Sequence, residues 1–176
     1  MAISALQIPV PELESVVRPR LERRSPELVG GEPDDICAHV TLLAPFAARE
    51  DLTEGLRSEL RDFFSDVTAF TFALTSVCAF PGGTTYLAPE PAAPFRALTH
   101  ELFRRFPEYP PYGGEFDDIV PHLSIPMPDG DDPEQLRFLL NPRLPITAQA
   151  REAVLFWYEA GDSRTLETFA FGTSAA

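Results

Sequence analysis

Proline limits what this chain can fold into before any other feature does. Nineteen of its 176 residues are proline, and each one fixes φ and removes a backbone donor. Such a chain is predicted to form short, well-punctuated strands and shaped loops rather than long helices. The length and the 44% apolar share still allow a substantial core, in one compact domain or in two closely packed lobes. The longest apolar runs stop well before the roughly 18 residues that would suggest a membrane span. Met1 to Val10 has no basic region followed by an apolar run and a cleavage site. The chain therefore reads as soluble and cytoplasmic, with no membrane partner.

Apolar spacing assigns the elements. Ile3 to Val10 reads as a strand stopped by Pro9 and Pro11, and Pro33-Asp34-Asp35 as the turn before a second strand, Ile36 to Leu43. In that strand Ile36, Ala38, Val40 and Leu42 point one way, and Cys37, His39, Thr41 and Leu43 the other. Leu52, Leu56, Leu60, Phe63, Phe64 and Val67 give an amphipathic helix over Asp51 to Val67. Phe70 to Ala79 and Thr84 to Ala88, joined by Pro81-Gly82-Gly83, read as a hairpin. A second amphipathic helix carries Phe95, Leu98, Leu102, Phe103 and Phe106 and stops at Pro107. Pro107 to Gly114 is a shaped loop. Val120 to Pro126 is a short strand, Pro133 to Leu140 a short helix, and Ala153 to Glu159 and Thr165 to Phe171 complete the sheet around a turn at Gly161-Asp162. The sum is an α+β domain with mainly antiparallel strands and helices on the sheet faces.

Charge and residue types exclude several functions. A formal charge of −13 opposes binding to long nucleic acids, whose nonspecific affinity comes from phosphate neutralisation. A small nucleotide or an RNA end stays compatible if arginines cluster locally. The 14 basic residues are all arginine, so a lysine P-loop, Schiff-base chemistry and a ligase that adenylates its own lysine are excluded. Cys37 and Cys78 are the only cysteines, which excludes a disulfide framework and a cysteine-rich zinc site; both are expected as buried small apolar residues. The run Asp129 to Asp132 lacks the alternating ligands and distal glutamate of a calcium loop, and no metal is expected.

Two segments carry chemistry. His39-Val40-Thr41-Leu42 and His122-Leu123-Ser124-Ile125 repeat one pattern of histidine, apolar, hydroxyl, apolar. Residues two apart in a strand share a face about 7 Å from each other, so each motif presents an imidazole and a hydroxyl to one side and anchors itself through the other. Two such strands side by side would surround a space the size of a phosphate. Opening a cyclic phosphodiester needs one group to take a proton from water and another to protonate the leaving oxygen, and histidine does either near neutral pH. The hydroxyls would donate to the nonbridging oxygens as charge builds there. The third histidine, His100, falls on the polar side of its helix and is assigned no role. Phe46 and Tyr112 are candidates for stacking on a base.

HVTLLAPF at His39 to Phe46 and PHLSI at Pro121 to Ile125 resemble the two signature motifs of the 2H phosphoesterase superfamily, in its bacterial branch labelled 2'-5' RNA ligase or RNA 2',3'-cyclic phosphodiesterase. The strand before the first motif, the FPGGTTYLAPEP stretch and the helix after it are similar to that branch as well, so the resemblance covers most of the chain. It implies a single domain over residues 1–176, built of two intertwined, pseudo-symmetric lobes around a central cleft, with one motif from each. It implies hydrolysis of a 2',3'-cyclic phosphate to a 2'-phosphate without metal or nucleotide cofactor; the acidic charge points to a small nucleotide or short RNA end as substrate, no cofactor is expected, and the protein is expected to be a monomer. By the same resemblance His122 is the base that activates water, His39 the acid that protonates the departing 3' oxygen, and Thr41 and Ser124 hold the phosphate. The chain departs from some relatives in having no arginine at Pro126-Met127-Pro128, and in serine rather than threonine in the second motif. A catalytically silent nucleotide-binding domain and 2'-5' joining of RNA ends are the competing readings; joining would use the same residues.

Overall fold

The computed structural model describes residues 2–32, 34–115 and 118–172. Among the described residues, eight strands form two antiparallel four-stranded sheets. The first holds β1 (Ile3–Pro9), β2 (His39–Leu43), β7 (Glu152–Tyr158) and β8 (Arg164–Ala170), in the order β2-β1-β7-β8. The second holds β3 (Phe70–Ala79), β4 (Thr85–Glu90), β5 (Leu123–Ile125) and β6 (Ile146–Ala150), in the order β5-β4-β3-β6. The two ends of the chain thus share one sheet and its middle builds the other. Helices α1 (Glu14–Arg24), α2 (Glu54–Ser65), α3 (Ala93–Arg105) and α4 (Pro133–Leu140) flank them, which is the expected α+β, two-sheet architecture. No helix among the described residues is long and apolar enough to cross a membrane.

Each motif strand is an edge strand, and the two edges lie against one another. Both are shorter than the alternation predicted. β5 stops at Ile125 because Pro121 and Pro126 have no N–H to extend a ladder. β2 begins only at His39, although the Ala38 carbonyl still accepts the Val10 N–H at 2.8 Å. An edge strand exposes backbone groups on its open side, and α3 answers part of that demand: buried Thr99 donates its hydroxyl to the Leu42 carbonyl at 2.9 Å.

The core follows from the apolar faces already named. Phe64 of α2 stacks on Phe169 and Phe171 at 5.4 and 5.8 Å between centroids, and Phe95 of α3 meets Phe70 and Phe72 edge-on. The turn before β2 was expected at 33–35; Pro33 lies outside the described residues. Asp35 is buried, and its carboxylate accepts the N–H groups of Glu32 and, across to β8, Thr165. A Cβ at Gly30 would sit 2.4 Å from that of Asp35, so the loop closes only around glycine. The acidic run before α4 also has structural work: Asp132 caps the helix through the Glu134 N–H, and Asp131 pairs with Arg23.

Among the described strands and α-helices, two lie outside the expected set, α1 and β6. α1 carries Pro19 in its interior and owes its place to tertiary bonds. At its start Glu14 accepts the Ala38 N–H at 2.9 Å, and Arg18 donates to the Asp35 carbonyl. At its end Arg23 holds Asp131 through two bonds of 3.0 and 2.8 Å, and Arg24 donates to the Met127 carbonyl at 2.7 Å. One helix therefore fastens the entry of β2 and the exit of β5.

Thr99→Val keeps the shape of the side chain but leaves the Leu42 carbonyl without its donor. The expected cost is about 1–3 kcal/mol, read as a lower urea midpoint at an unchanged slope. An unchanged midpoint would show that α3 does not hold the β2 edge.

Candidate functional site

The two motif histidines are held the same way. His39 opens β2 and His122 immediately precedes β5. The His39 Nδ1 lies 2.7 Å from the Cys37 carbonyl, and the His122 Nδ1 lies 2.7 Å from the Val120 carbonyl. A carbonyl only accepts, so each ring keeps its Nδ1–H there and leaves Nε2, on the far side of the ring, as the nitrogen without a backbone partner. Strand alternation does the rest. His39 and Thr41 are half-buried between buried Val40 and Leu42, and half-buried His122 and exposed Ser124 flank buried Leu123. Neither the Thr41 nor the Ser124 hydroxyl has a hydrogen-bond partner among the described residues, which leaves both donors for a ligand.

β2 and β5 bring the two imidazoles close enough to repel one another when charged. Burial, supported by the positive field of His122, pushes the His39 pKa down to about 4, against the Cys37 carbonyl and Glu14, which favour the charged ring. His39 is therefore neutral at pH 7 in the free protein. His122 sits among aromatic rings: Phe80 at 5.0 Å and Tyr86 at 5.6 Å meet it edge-on, and Tyr112 lies nearly parallel at 6.3 Å.

Tyr112 and Phe46 part company. Tyr112 sits in the predicted shaped loop at φ 53°, ψ 31°, a left-handed conformation that costs a non-glycine residue roughly 1–2 kcal/mol. Its N–H donates to the Ala44 carbonyl just past β2 while its ring faces His122, so this loop joins the first motif to the second. Phe46 is 6% exposed and packs edge-on against Phe106 and Tyr109. It is a core residue, and the expectation that it offers a face to a base is corrected on that ground. His100 is exposed on α3. Cys37 is buried, its thiol pushed up to about 11 by that burial, whereas Cys78 is only half-buried.

Sequence reading missed Phe80, Tyr86, Gln7 and Tyr158. Tyr86 stands opposite Ser124, and Gln7 stands opposite Thr41. Tyr158, from the far end of the chain, donates to the Gln7 Oε1 at 2.8 Å with its oxygen 3.5 Å from the His39 Nε2. Once β4 is taken to pair with β5, strand alternation finds Tyr86; nothing local marks the others. Among the described residues, no group of three or more His, Cys, Asp or Glu is placed to hold a metal ion.

The lowered pKa of His39 has a measurable consequence. In the unfolded chain this imidazole takes up a proton near pH 6.5, and in the folded protein only near 4. Between those values the unfolded state binds more protons, so stability falls as pH falls, by up to about 1.4 kcal/mol per pH unit. Urea unfolding at pH 7 and pH 5 should show that loss in the wild type and a flatter dependence in His39→Asn. Equal slopes would contradict a neutral, desolvated His39.

The sequence matches the profile of the 2'-5' RNA ligase superfamily over residues 13–162. Several solved structures share the fold. A protein of Thermus thermophilus is 16% identical, with 98% of this chain and 100% of that chain covered at a TM-score of 0.59. LigT of E. coli in its apo form is 14% identical, with 97% of each chain covered at 0.57. A protein described as a phosphoesterase is 14% identical, with 97% of this chain and 98% of that chain covered at 0.55. No curated protein matches the sequence. With the profile spanning most of the chain, including both histidine motifs, the chain belongs to the 2'-5' RNA ligase superfamily.

Proposed function

We propose that this protein is a metal-independent phosphodiesterase of the RNA 2',3'-cyclic phosphodiesterase branch, hydrolysing a 2',3'-cyclic phosphate on a small nucleotide or short RNA end to a 2'-phosphate. The observation that carries the reading is the pair of imidazoles locked alike through Nδ1, each with Nε2 left without a backbone partner and an unengaged hydroxyl two residues on. E. coli LigT, which has the same fold, has been captured with phosphate, 3'-AMP, ATP and NADP+. A phosphate-bearing nucleotide is the substrate class that those complexes favour, and the formal charge of −13 favours a small or short one over a long nucleic acid.

In this reading the His122 Nε2 takes a proton from water as the water oxygen bonds to phosphorus. The bond from phosphorus to the 3' oxygen breaks, and the His39 Nε2–H supplies the proton that oxygen needs. Thr41 and Ser124 donate to the nonbridging oxygens, where charge builds in the transition state. In the free protein His39 is neutral, so its acid role depends on the substrate: a phosphodiester anion within hydrogen-bond reach favours the imidazolium and offsets the burial that disfavours it. Tyr112, against His122 at the edge of the site, is the candidate for stacking on a base. The reverse reaction, 2'-5' joining, would use the same groups. A binding domain alone would need no pair of titratable rings.

The test is turnover of 2',3'-cyclic mononucleotides and of short RNAs ending in a cyclic phosphate, in EDTA, with the product identified as the 2'-phosphate. His39→Ala and His122→Ala should each lower turnover by roughly 10²–10⁴-fold, and the double variant should be little worse than either. Thr41→Ala and Ser124→Ala should cost less, on the order of 10–10³-fold. Full activity in either histidine variant, folded by circular dichroism, would leave the binding-domain reading. Loss of turnover in EDTA, restored by zinc or magnesium, would overturn the metal-free mechanism.

A further inference from the structure

Gln7 is fully buried in the central part of β1, a costly place for an amide. Its Nε2 has no hydrogen-bond partner among the described residues. Packing does not explain it, since an apolar residue would fill the position without an orphaned donor. Its one bond is to the Tyr158 hydroxyl, whose hydrogen it accepts at 2.8 Å. That bond decides what Tyr158 can do for its other neighbour. With its hydrogen given to Gln7, the phenol oxygen meets the His39 Nε2 at 3.5 Å with lone pairs only.

A lone pair beside Nε2 favours the ring that carries a proton there and disfavours the ring that does not. Because the His39 Nδ1–H is given to the Cys37 carbonyl, the Nε2 proton is the one whose presence makes the ring cationic. We propose that Tyr158, oriented by Gln7, is a positioning residue that supports the proton on His39 Nε2 and so prepares this histidine to act as the acid; this rests on the hydrolytic reading above. The phenol itself does not ionise under these conditions, because burial holds its pKa well above the ordinary tyrosine value. It therefore remains a hydroxyl whose hydrogen Gln7 can fix. The rings of His39 and Tyr158 lie 6.3 Å apart at 47°, and the ring of Phe156 packs 4.6 Å from that of Tyr158, limiting the phenol's freedom to move.

The groups that bear on His39 come from four directions. His122 before β5 opposes its charge, and Glu14 of α1 favours it. Cys37, just ahead of β2, holds Nδ1, and Tyr158 of β7 faces Nε2. Of these, only Tyr158 touches the nitrogen that does chemistry. Its effect can be removed without changing any formal charge.

The readout is the protonation midpoint of His39, followed by imidazole nitrogen NMR on the 15N-labelled full chain, with the His122 midpoint as internal control. Tyr158→Phe removes the acceptor, and the His39 midpoint should fall by about one pH unit while that of His122 stays in place. Gln7→Leu frees the phenol hydrogen to turn onto Nε2, which favours the neutral ring, and should lower the midpoint at least as far. Gln7→Glu keeps an acceptor for the phenol and adds negative charge, and should raise it. A merely structural role would not give opposite signs at one position. On a cyclic nucleotide at pH 7, kcat of Tyr158→Phe should fall roughly tenfold with KM little changed, the loss expected when the protonated fraction of the acid drops by that factor. A His39 midpoint unmoved by both Tyr158→Phe and Gln7→Leu would overturn the proposal. If the wild type turned over no cyclic phosphate, the hydrolytic reading would fail, and the midpoints would still decide whether Tyr158 and Gln7 set the proton on His39.

Discussion

A backbone carbonyl two residues upstream holds each motif histidine by its Nδ1, and the geometry of the candidate site follows from that bond. It engages Nδ1 on both rings, selects the tautomer, and lets a five-residue strand and a three-residue strand hold the same group in the same way. The bond needs only an extended backbone with an apolar residue anchored on the far face, which Val40 and Leu123 provide. Histidine, apolar, hydroxyl is therefore a structural unit as well as a chemical one. The apolar residue sets the depth, the carbonyl sets the ring, and alternation sets the hydroxyl.

The unit works only if two of them meet, and the meeting is secured by parts that carry no chemistry. Both motif strands are sheet edges, and an edge is free to move unless something grips it. α3 grips β2 through Thr99, the loop at Tyr112 grips the end of β2 through Ala44, and α1 spans from the entry of β2 to the exit of β5. The arginines of α1 are spent on Asp131 and on the carbonyls of Asp35 and Met127. They thus serve to set the relation between the two motifs.

The parts legible in the sequence are those whose signal is local. Alternation reveals β2 and β5, and helical spacing reveals α2 and α3, because each buries one face against a single layer. α1 is illegible: Pro19 and a run of arginines hide its pattern, and the partners that order it lie up to 108 residues away. Phe46 misleads because an aromatic residue just past a motif reads the same whether it faces the site or the core. Only the contact with Phe106 and Tyr109 separates the two. Gln7 and Tyr158 escape notice for a related reason. Their bond joins the first strand to the seventh across 151 positions, and one residue alone gives no sign of it.

In the proposed site His39 and His122 flank one phosphate that Thr41 and Ser124 hold. The decisive measurement is a titration of the 15N-labelled protein with inorganic phosphate in EDTA, following the imidazole nitrogens. The Nε2 signals of His39 and His122 should shift together along one binding curve with one Kd, and His100 should not respond. A response from only one of the two, or two curves with different Kd, would contradict a shared site.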